Sequence, residues 1–233
     1  MNWLKESFSD LISIIYPNNC LLCQANLLKN EHCICTICET KLPYTNYHLL
    51  KDNPVEKKLW GRVKIEEAAS LLFFEKGLDV QKLISNLKYK NRQDVGEKIG
   101  EIYAKTLLQS SSEFLKIDVI IPIPLHPKKF KKRGYNQCHK FAFALAEKLH
   151  KEVNISSANR KVNTISQTGK NRISRWENVS DIFEIKDSEK LKGKHILLVD
   201  DVMTTGATLE ALANKILQIP NTKVSVLVMA SAI

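Results

Sequence analysis

Two carboxylates and a threonine-rich turn follow a short apolar segment in the last fifth of the sequence. The apolar segment comprises residues 196–199, and its unbroken pattern predicts a buried strand of a parallel sheet. Asp200 and Asp201 come directly after it, at the end of the strand where open α/β sheets bind ligands. The turn that follows leads into a predicted helix and comprises Thr204, Thr205, Gly206, Ala207 and Thr208.

This turn has the chemistry of a phosphate site. A helix N-terminus presents unpaired N–H groups and the positive end of a dipole, threonine hydroxyls add donors, and a glycine lets the backbone approach closely. Because carboxylates that faced a phosphate would repel it, Asp200 and Asp201 are better suited to bind ribose hydroxyls or a metal through water. The pattern therefore predicts a sugar-phosphate site, and the alternative is a buried strand that ends in an ordinary turn of capping residues.

Two other nucleotide-binding motifs are absent from the sequence. No G-x-x-x-x-G-K-[ST] occurs, which excludes the phosphate loop of a Walker-type ATPase. No two glycines lie two residues apart, which excludes the G-x-G-x-x-G dinucleotide motif.

Two C-x-x-C pairs predict a metal site in the first forty residues. The candidate ligands are Cys20, Cys23, Cys35 and Cys38. Such pairs suit one tetrahedral Zn²⁺, and four thiolates leave no open position, so the site is expected to be structural. The spacing in a chain expected to be intracellular favours zinc over disulfides. Cys33 and His32 lie close enough to compete as ligands, so the choice of Cys35 rests on the C-x-x-C geometry alone.

The chain is basic, with a formal net charge of +10. This charge predicts attraction to polyanions such as phosphorylated substrates, nucleic acid or an anionic membrane surface. Several cations cluster around aromatic residues, where they either form solvated surfaces or bind anions. The candidate nucleic-acid contacts are Lys88, Arg92, Lys128, Lys129, Lys131, Lys132, Arg172, Arg175 and Trp176. Phe130, Tyr135 and Trp176 could stack on exposed bases.

Alternating strands and helices predict an α/β fold, and 233 residues suffice for one core and a small second module. The predicted strands cover residues 65–74, 118–123, 196–199 and 224–229, and the predicted helices cover residues 83–87, 95–107, 138–149 and 209–217. Residues 41–62 are interpreted as a linker, which sets a domain boundary between residues 1–60 and residues 61–233. Residues 154–185 lack periodicity and are predicted to form a functional loop or hairpin.

Residues 2–15 have apolar residues at helical spacing and predict an amphipathic helix. This helix either packs on the rest of the protein or contacts a membrane surface or a partner. Glu6 and Asp10 interrupt its apolar pattern, and no apolar run approaches the about 20 residues that span a bilayer. We therefore expect a cytoplasmic protein without a secretory signal or transmembrane segment, and peripheral binding at the inner membrane is the alternative.

The segment VDDVMTTGATL resembles the phosphoribosyl pyrophosphate (PRPP) motif of the type I phosphoribosyltransferases. The resemblance implies that Asp200 and Asp201 bind the ribose 2′ and 3′ hydroxyls and that residues 204–208 wrap the 5′-phosphate. These two carboxylates are then also the candidate catalytic residues. The residues after Pro124 would bind pyrophosphate together with Mg²⁺, with Arg133 as the side-chain contact. The implied fold is the parallel-sheet type I phosphoribosyltransferase fold with a small zinc-ribbon-like module at its N-terminus.

Nearly the whole chain resembles the ComF family of bacterial competence proteins. The resemblance rests on the order of the two C-x-x-C pairs, LKYKNR, IPIPLHPKKFKKRGYNQ, QTGKNRISRWENVSDIF and VDDVMTTGATL. Membership implies a zinc-bearing module on a phosphoribosyltransferase domain, a cytoplasmic location, and a part in natural transformation, where incoming single-stranded DNA is handled.

Three functions remain open from the sequence. In the first, the chain binds PRPP and handles single-stranded DNA. In the second, it is a Mg²⁺-dependent phosphoribosyltransferase that joins the ribose phosphate of PRPP to a nucleobase or another nitrogen acceptor, chiefly through positioning and charge stabilisation. In the third, the N-terminal helix and the cysteine pairs bridge a helicase or a DNA-uptake channel.

Overall fold

The predicted sugar-phosphate site depends on how the parallel strands are arranged. A computed structural model describes residues 18–110, 112–161 and 182–232 of the chain. The strands are β1 (Ala68–Phe73), β2 (Val119–Pro122), β3 (Glu152–Val153), β4 (Ala158–Arg160), β5 (Phe183–Ile185), β6 (His195–Met203) and β7 (Lys223–Ser231). The α-helices are α1 (Thr36–Thr40), α2 (Pro54–Lys57), α3 (Asp79–Tyr89), α4 (Asp94–Leu108), α5 (Pro127–Arg133), α6 (Gln137–Leu149) and α7 (Ala207–Ile216). Short 3-10 helices cover Tyr47–Leu49, Glu113–Lys116 and Ser188–Lys190.

Five parallel strands form the main sheet in the order β1-β7-β6-β2-β3. Strand β6 lies at its centre, and residues 196–199 are fully buried, as their unbroken apolar pattern predicts. Strand β6 pairs with β7 as far as Met203, so it continues past Val199 and includes both carboxylates. The predicted α/β architecture is therefore present, with Asp200 and Asp201 inside the carboxyl end of the central strand.

Helices α4 and α6 pack closely on one another beside the sheet. A Cβ atom on Gly100 would lie 2.7 Å from the Phe141 carbonyl oxygen and 2.8 Å from the Ala144 Cβ, so only glycine permits this approach. Asn136 caps α6, since its side chain accepts a hydrogen bond from the Cys138 N–H at 3.0 Å. Asn136 also donates to the carbonyl of Ile123 at 2.9 Å, which fixes the start of α6 at the end of β2.

The basic segment after β2 forms helix α5, although the resemblance to the type I phosphoribosyltransferases implies a pyrophosphate-binding loop there. Pro127 occupies the first turn, where its missing N–H costs nothing, and His126 Nδ1 accepts from the Lys128 N–H at 3.1 Å. Gly134 ends the helix at a φ of +79°, in the left-handed region that favours glycine. The lysines predicted as loop cations are consequently displayed on a short helix.

Residues 41–62 are packed against the sheet rather than extended as a linker. The main chain of Thr45 donates to the Leu71 carbonyl at 3.0 Å, and Leu59 is fully buried. The Asn53 side chain accepts from the Val55 N–H at 2.9 Å and donates to the Ala68 carbonyl at 2.8 Å, so it caps α2 and attaches it to β1. The domain boundary near residue 60 stays a prediction.

Strands β4 and β5 form an antiparallel pair on either side of residues 162–181. The arms of the predicted hairpin are therefore present, but its central part, including Arg172, Arg175 and Trp176, lies outside the described residues. The predicted amphipathic helix of residues 2–15 lies outside them too. Among the helices that the structure describes, none has the length and apolar character needed to span a membrane.

Candidate functional site

The two carboxylates lie where β6 meets the beginning of α6 and the end of α3. Asp201 is 5% exposed, whereas Asp200 is partly exposed. The Asp200 Oδ1 accepts a hydrogen bond from the Asp201 N–H at 2.8 Å, which fixes the orientation of one carboxylate relative to the other. Both predicted site residues are therefore brought together at the carboxyl edge of the sheet.

Two side chains from other elements hold the Asp201 carboxylate. Lys88 Nζ lies 2.8 Å from its Oδ1, and Gln137 Nε2 donates to its Oδ2 at 2.7 Å. Lys88 comes from the last turn of α3 and Gln137 from the first residue of α6. Both oxygens of Asp201 are thus engaged by donors, and the carboxylate has little freedom to turn.

Asp200 has a different environment. The buried Cys138 thiol lies 3.5 Å from its Oδ1, in position to donate a hydrogen bond. Burial and the neighbouring charge of Asp201 raise the pKa of Asp200 to about 7. The raised pKa favours the protonated form of Asp200 more than in a free aspartate, which lessens the repulsion of an anionic ligand.

The threonine turn, residues 204–208, joins β6 to α7. Thr204 and Thr205 are exposed, while Ala207 and Thr208 are partly exposed. Gly206 precedes α7 at a φ of +76°, and a Cβ atom there would lie 2.7 Å from the Met203 Cε. Glycine is therefore required at this position. The Ala207 N–H donates to the Thr205 Oγ1 at 3.4 Å, and a helix N-terminus of this kind can bind an anion through its first N–H groups.

Arg62 fixes this turn from the side of α2. Its Nη1 donates to the Thr205 carbonyl at 2.7 Å and to the Lys58 carbonyl at 2.9 Å. Its Nη2 forms an ion pair with Glu210 of α7. The segment that the sequence interprets as a linker therefore supports the threonine turn directly.

The end of α3 also contacts the connection between α5 and α6. The guanidinium of Arg133 lies over the Tyr89 ring, 5.3 Å from its centroid, and the Tyr135 hydroxyl donates to the Leu87 carbonyl. Tyr89 is 71% exposed, so one face of its ring remains open. Arg133, the predicted pyrophosphate contact, is thus held by an aromatic ring close to the Lys88 that binds Asp201.

Helix α5 presents an exposed basic surface. Its four lysines, Lys128, Lys129, Lys131 and Lys132, are all exposed. Within the described ranges, none of them forms an ion pair with a carboxylate. Phe130 lies among them and is 47% exposed. This helix, hereafter the basic helix, combines free cations with an aromatic ring.

Two other predicted nucleic-acid contacts, Lys88 and Arg92, form ion pairs with carboxylates of the protein. Lys88 binds Asp201, and its side chain is 21% exposed. Arg92 binds Asp94 through an ion pair of 2.6 Å at the start of α4. Because of these ion pairs, neither cation is available in the way that the lysines of the basic helix are. A nucleic-acid contact by Lys88 or Arg92 stays a prediction.

The four predicted zinc ligands come together in the cysteine module, residues 18–40. The sulfur atoms of Cys20, Cys23, Cys35 and Cys38 all lie within 4.8 Å of one another. The Cys23 and Cys35 sulfurs are 3.7 Å apart, close to the about 3.8 Å between sulfurs in a tetrahedral Zn²⁺ site with Zn–S bonds of about 2.3 Å. Burial would raise the pKa of Cys20, but backbone hydrogen bonds from Cys23, Cys35 and Leu22 lower it to about 6. The donor set therefore fits zinc.

Cys33 lies outside this cluster. It is 3% exposed, has a φ of +53°, and directs its sulfur toward the Asp94 carbonyl oxygen at 3.9 Å. Burial raises its pKa to about 12, so the thiol stays protonated. Among the described residues His32 is not part of the cluster either. The geometry thus favours Cys35 over both competitors.

Three residues of the site were not identified from the sequence as ligand-site residues. Gln137 and Cys138 follow a capping asparagine, and Arg62 follows a glycine in a polar segment. No local pattern marked these three residues, because each meets the site only through a contact with a segment that is distant in the sequence.

Comparison with known proteins agrees with this arrangement. A family model described as a phosphoribosyl transferase domain matches residues 88–229. The DNA utilization protein YhgH of Escherichia coli K12 is 25% identical over 218 residues, which cover 87% of this chain and 92% of YhgH. The competence protein ComFC of Bacillus subtilis 168 is 25% identical over 201 residues, covering 85% of this chain and 78% of ComFC. Competence protein F of Haemophilus influenzae Rd is 27% identical over 217 residues, covering 83% of this chain and 88% of competence protein F.

These matches confirm the resemblance to the ComF proteins and the predicted phosphoribosyltransferase fold. The family match includes the end of α3 and the start of α6, which contact Asp200 and Asp201, and also the basic helix and the threonine turn. The chain therefore belongs to the phosphoribosyl transferase domain family.

Proposed function

We propose that the chain binds PRPP at the carboxyl end of β6. The threonine turn and the first N–H groups of α7 hold the 5′-phosphate, and the ribose lies against the carboxylate pair. One observation carries the proposal: the rigidly held pair Asp200 and Asp201 leads directly into an exposed turn that ends in a left-handed glycine and a helix N-terminus. The family match supports the same ligand class.

Magnesium fits this site as a companion of the ligand. Mg²⁺ prefers oxygen ligands and is commonly bound by one or two carboxylates together with substrate phosphates. The partly exposed Asp200 would hold the ion beside a bound pyrophosphate, and the ion would neutralise phosphate charge. Arg133, on the connection between α5 and α6, supplies a further positive charge on that side.

Isothermal titration of Mg²⁺·PRPP into the full chain tests the proposal. We expect one binding site per chain, with competition by ribose 5-phosphate because it occupies the same turn and carboxylates. A titration without saturable heat would contradict the proposed function.

Replacing Arg62 with alanine is expected to weaken PRPP binding about tenfold, which corresponds to about 1.4 kcal/mol. The substitution removes the hydrogen bond that holds the Thr205 carbonyl, so the turn loses its fixed orientation. The matched control is Glu210→Gln, which removes the ion pair but leaves the Arg62 hydrogen bond to Thr205. Because exposed ion pairs contribute about 0–1 kcal/mol, this control should bind nearly as the wild type does. Equal losses in both variants would assign the effect to the ion pair.

We further propose that the basic helix contacts single-stranded DNA. Its lysines, which pair with no carboxylate of the described residues, can follow a phosphate backbone, and Phe130 and Tyr89 offer exposed rings on which bases stack. The names of the relatives, DNA utilization protein and competence protein, favour this second role.

Charge reversal of Lys128 and Lys131 to glutamate is expected to weaken single-stranded DNA binding and to make it less dependent on salt. Each lost phosphate contact should reduce the slope of log K against log salt by about 0.7. Fluorescence anisotropy with a labelled oligonucleotide measures both quantities. The control variant replaces Lys190 and Lys192 with glutamate. It changes the net charge by the same amount, but at the amino end of β6. The same slope in the Lys128 and Lys131 variant as in wild type would remove the basic helix from the DNA-binding surface.

The second candidate function is catalytic transfer, which the family match favours. Transfer would break the bond between C1 of the ribose and pyrophosphate and form a bond to a nitrogen nucleophile. Pyrophosphate release in the presence of PRPP and individual nucleobases measures it. Release that requires one base and Asp200 would establish the enzyme, whereas binding without release would leave PRPP as a ligand.

We also propose that the cysteine module holds one structural Zn²⁺. Four sulfurs that lie within 4.8 Å of one another can fill a tetrahedral Zn²⁺ site and leave no position for water or substrate. The module reaches the α/β domain through a 2.8 Å ion pair between Glu39 and Lys98 of α4. Binding of a helicase or DNA-uptake channel through the N-terminal segment stays a prediction.

A further inference from the structure

The amide of Gln137 is buried beside the carboxylate pair and has one atom without a partner. The side chain is 6% exposed. Its Nε2 donates to Asp201 Oδ2 at 2.7 Å, whereas its Oε1 is buried and accepts no hydrogen bond from any described residue. A buried carbonyl oxygen without a donor is unfavourable and rare in folded proteins. This oxygen is therefore a candidate acceptor for a ligand hydroxyl.

The orientation of this amide is fixed by its neighbours. A carboxylate only accepts hydrogen bonds, so the NH₂ group must face Asp201 and the carbonyl oxygen must take the other position. The backbone is fixed as well, since Asn136 caps α6 and is attached to the end of β2. Because the two polar atoms share one carbon, the free oxygen lies next to the Asp201 carboxylate.

Each oxygen of the Asp201 carboxylate already has one donor in this arrangement. Lys88 engages its Oδ1 at 2.8 Å, and Gln137 engages its Oδ2. Among the described residues, the acceptor atoms of this group that have no donor are the Asp200 Oδ2 and the Gln137 Oε1. A hydroxyl of a bound sugar would supply the donor that the buried Gln137 Oε1 lacks.

We propose that Gln137 binds one ribose hydroxyl and makes the site selective for ribose over deoxyribose phosphates. This inference rests on the proposed PRPP site and assigns a specificity-determining residue within it. A site built to bond a hydroxyl rejects the analogue that lacks it, because the buried acceptor is then left unpaired. Asp201, held between Lys88 and Gln137, acts as the positioning residue for this contact.

The test compares three probes, which are ribose 5-phosphate and its 2-deoxy and 3-deoxy analogues, with wild type and Gln137→Leu. In wild type one deoxy analogue should bind about tenfold or more weakly than ribose 5-phosphate, a loss of about 1.4 kcal/mol. In Gln137→Leu the affinity for ribose 5-phosphate should fall by the same factor, while the affinity for that deoxy analogue should stay unchanged. Thermal melting of both proteins checks that the variant is folded.

Three results would overturn the inference. Equal affinities of wild type for all three probes would show, without any variant, that no hydroxyl is recognised. Equal losses for all three probes in Gln137→Leu would reduce Gln137 to a support for Asp201. Failure of wild type to bind Mg²⁺·PRPP would overturn the proposed function and this inference together. The first two results would overturn this inference alone.

Discussion

Replacing Asp200 and Asp201 together with asparagine is expected to lower the affinity for Mg²⁺·PRPP at least about 100-fold. A hydrogen bond to a charged group contributes about 1.5–3 kcal/mol, and the variant removes both the Asp200 contact and the Asp201 carboxylate that positions Gln137, so we expect a loss of about 3 kcal/mol or more. The variant also leaves Lys88 without its carboxylate partner. Isothermal titration of both proteins under identical Mg²⁺ concentrations measures the change.

The direction of this effect separates two accounts of the site. If the carboxylates only repelled an anionic ligand, removing two negative charges would strengthen PRPP binding. If they hold the ribose and the metal, the same change weakens it. Asp79→Asn is the matched control, because Asp79 is an exposed carboxylate whose partner is Lys82 of the same helix. Tighter binding by the double variant would contradict the assigned roles.

Removing zinc is expected to destabilise the whole chain. Structural Zn²⁺ supplies about 10–16 kcal/mol in small zinc domains, and a loss of only about 4 kcal/mol in a chain of this size lowers the melting temperature by about 8–16 °C. The Cys20→Ser substitution should produce this loss, because the fully buried Cys20 provides one of the four sulfurs. Mass spectrometry for metal content and thermal melting measure the two consequences.

Cys33→Ala provides the control for this experiment. Cys33 is equally buried in the same module, but its sulfur faces the Asp94 carbonyl rather than the other cysteines. This variant should retain one zinc per chain. A wild-type protein that holds no zinc, or whose melting temperature is unchanged by a chelator, would contradict the proposed metal site.

Local patterns in the sequence were sufficient for the central features of the fold. Residues 196–199 predicted the buried strand because a parallel strand covered on both faces needs apolar side chains throughout. The two C-x-x-C pairs predicted the cysteine cluster because each pair forms one tight turn. In both cases the information lies within a few consecutive residues.

The side chains that complete the site depend on contacts between distant segments. Gln137 is 64 residues from Asp201, and Arg62 is 143 residues from Thr205. No pattern in a single sequence reports such contacts, since they arise only when α6 packs beside β6 and the segment that follows α2 reaches the threonine turn. The basic helix was missed because the resemblance implies a loop at this place and because capping by His126 has no strong sequence signature.

The backbone amide signals of the threonine turn test the central claim most directly. In ¹H–¹⁵N spectra of the full chain, titration with Mg²⁺·PRPP is expected to shift the signals of Thr205, Gly206 and Ala207 until they saturate, because their N–H groups would face the bound phosphate. The amides of Lys190 and Lys192, beside the amino end of β6, should remain unchanged. Saturating PRPP that leaves the three turn amides unshifted, or that shifts only the basic helix, would contradict the assignment of the phosphate site to this turn.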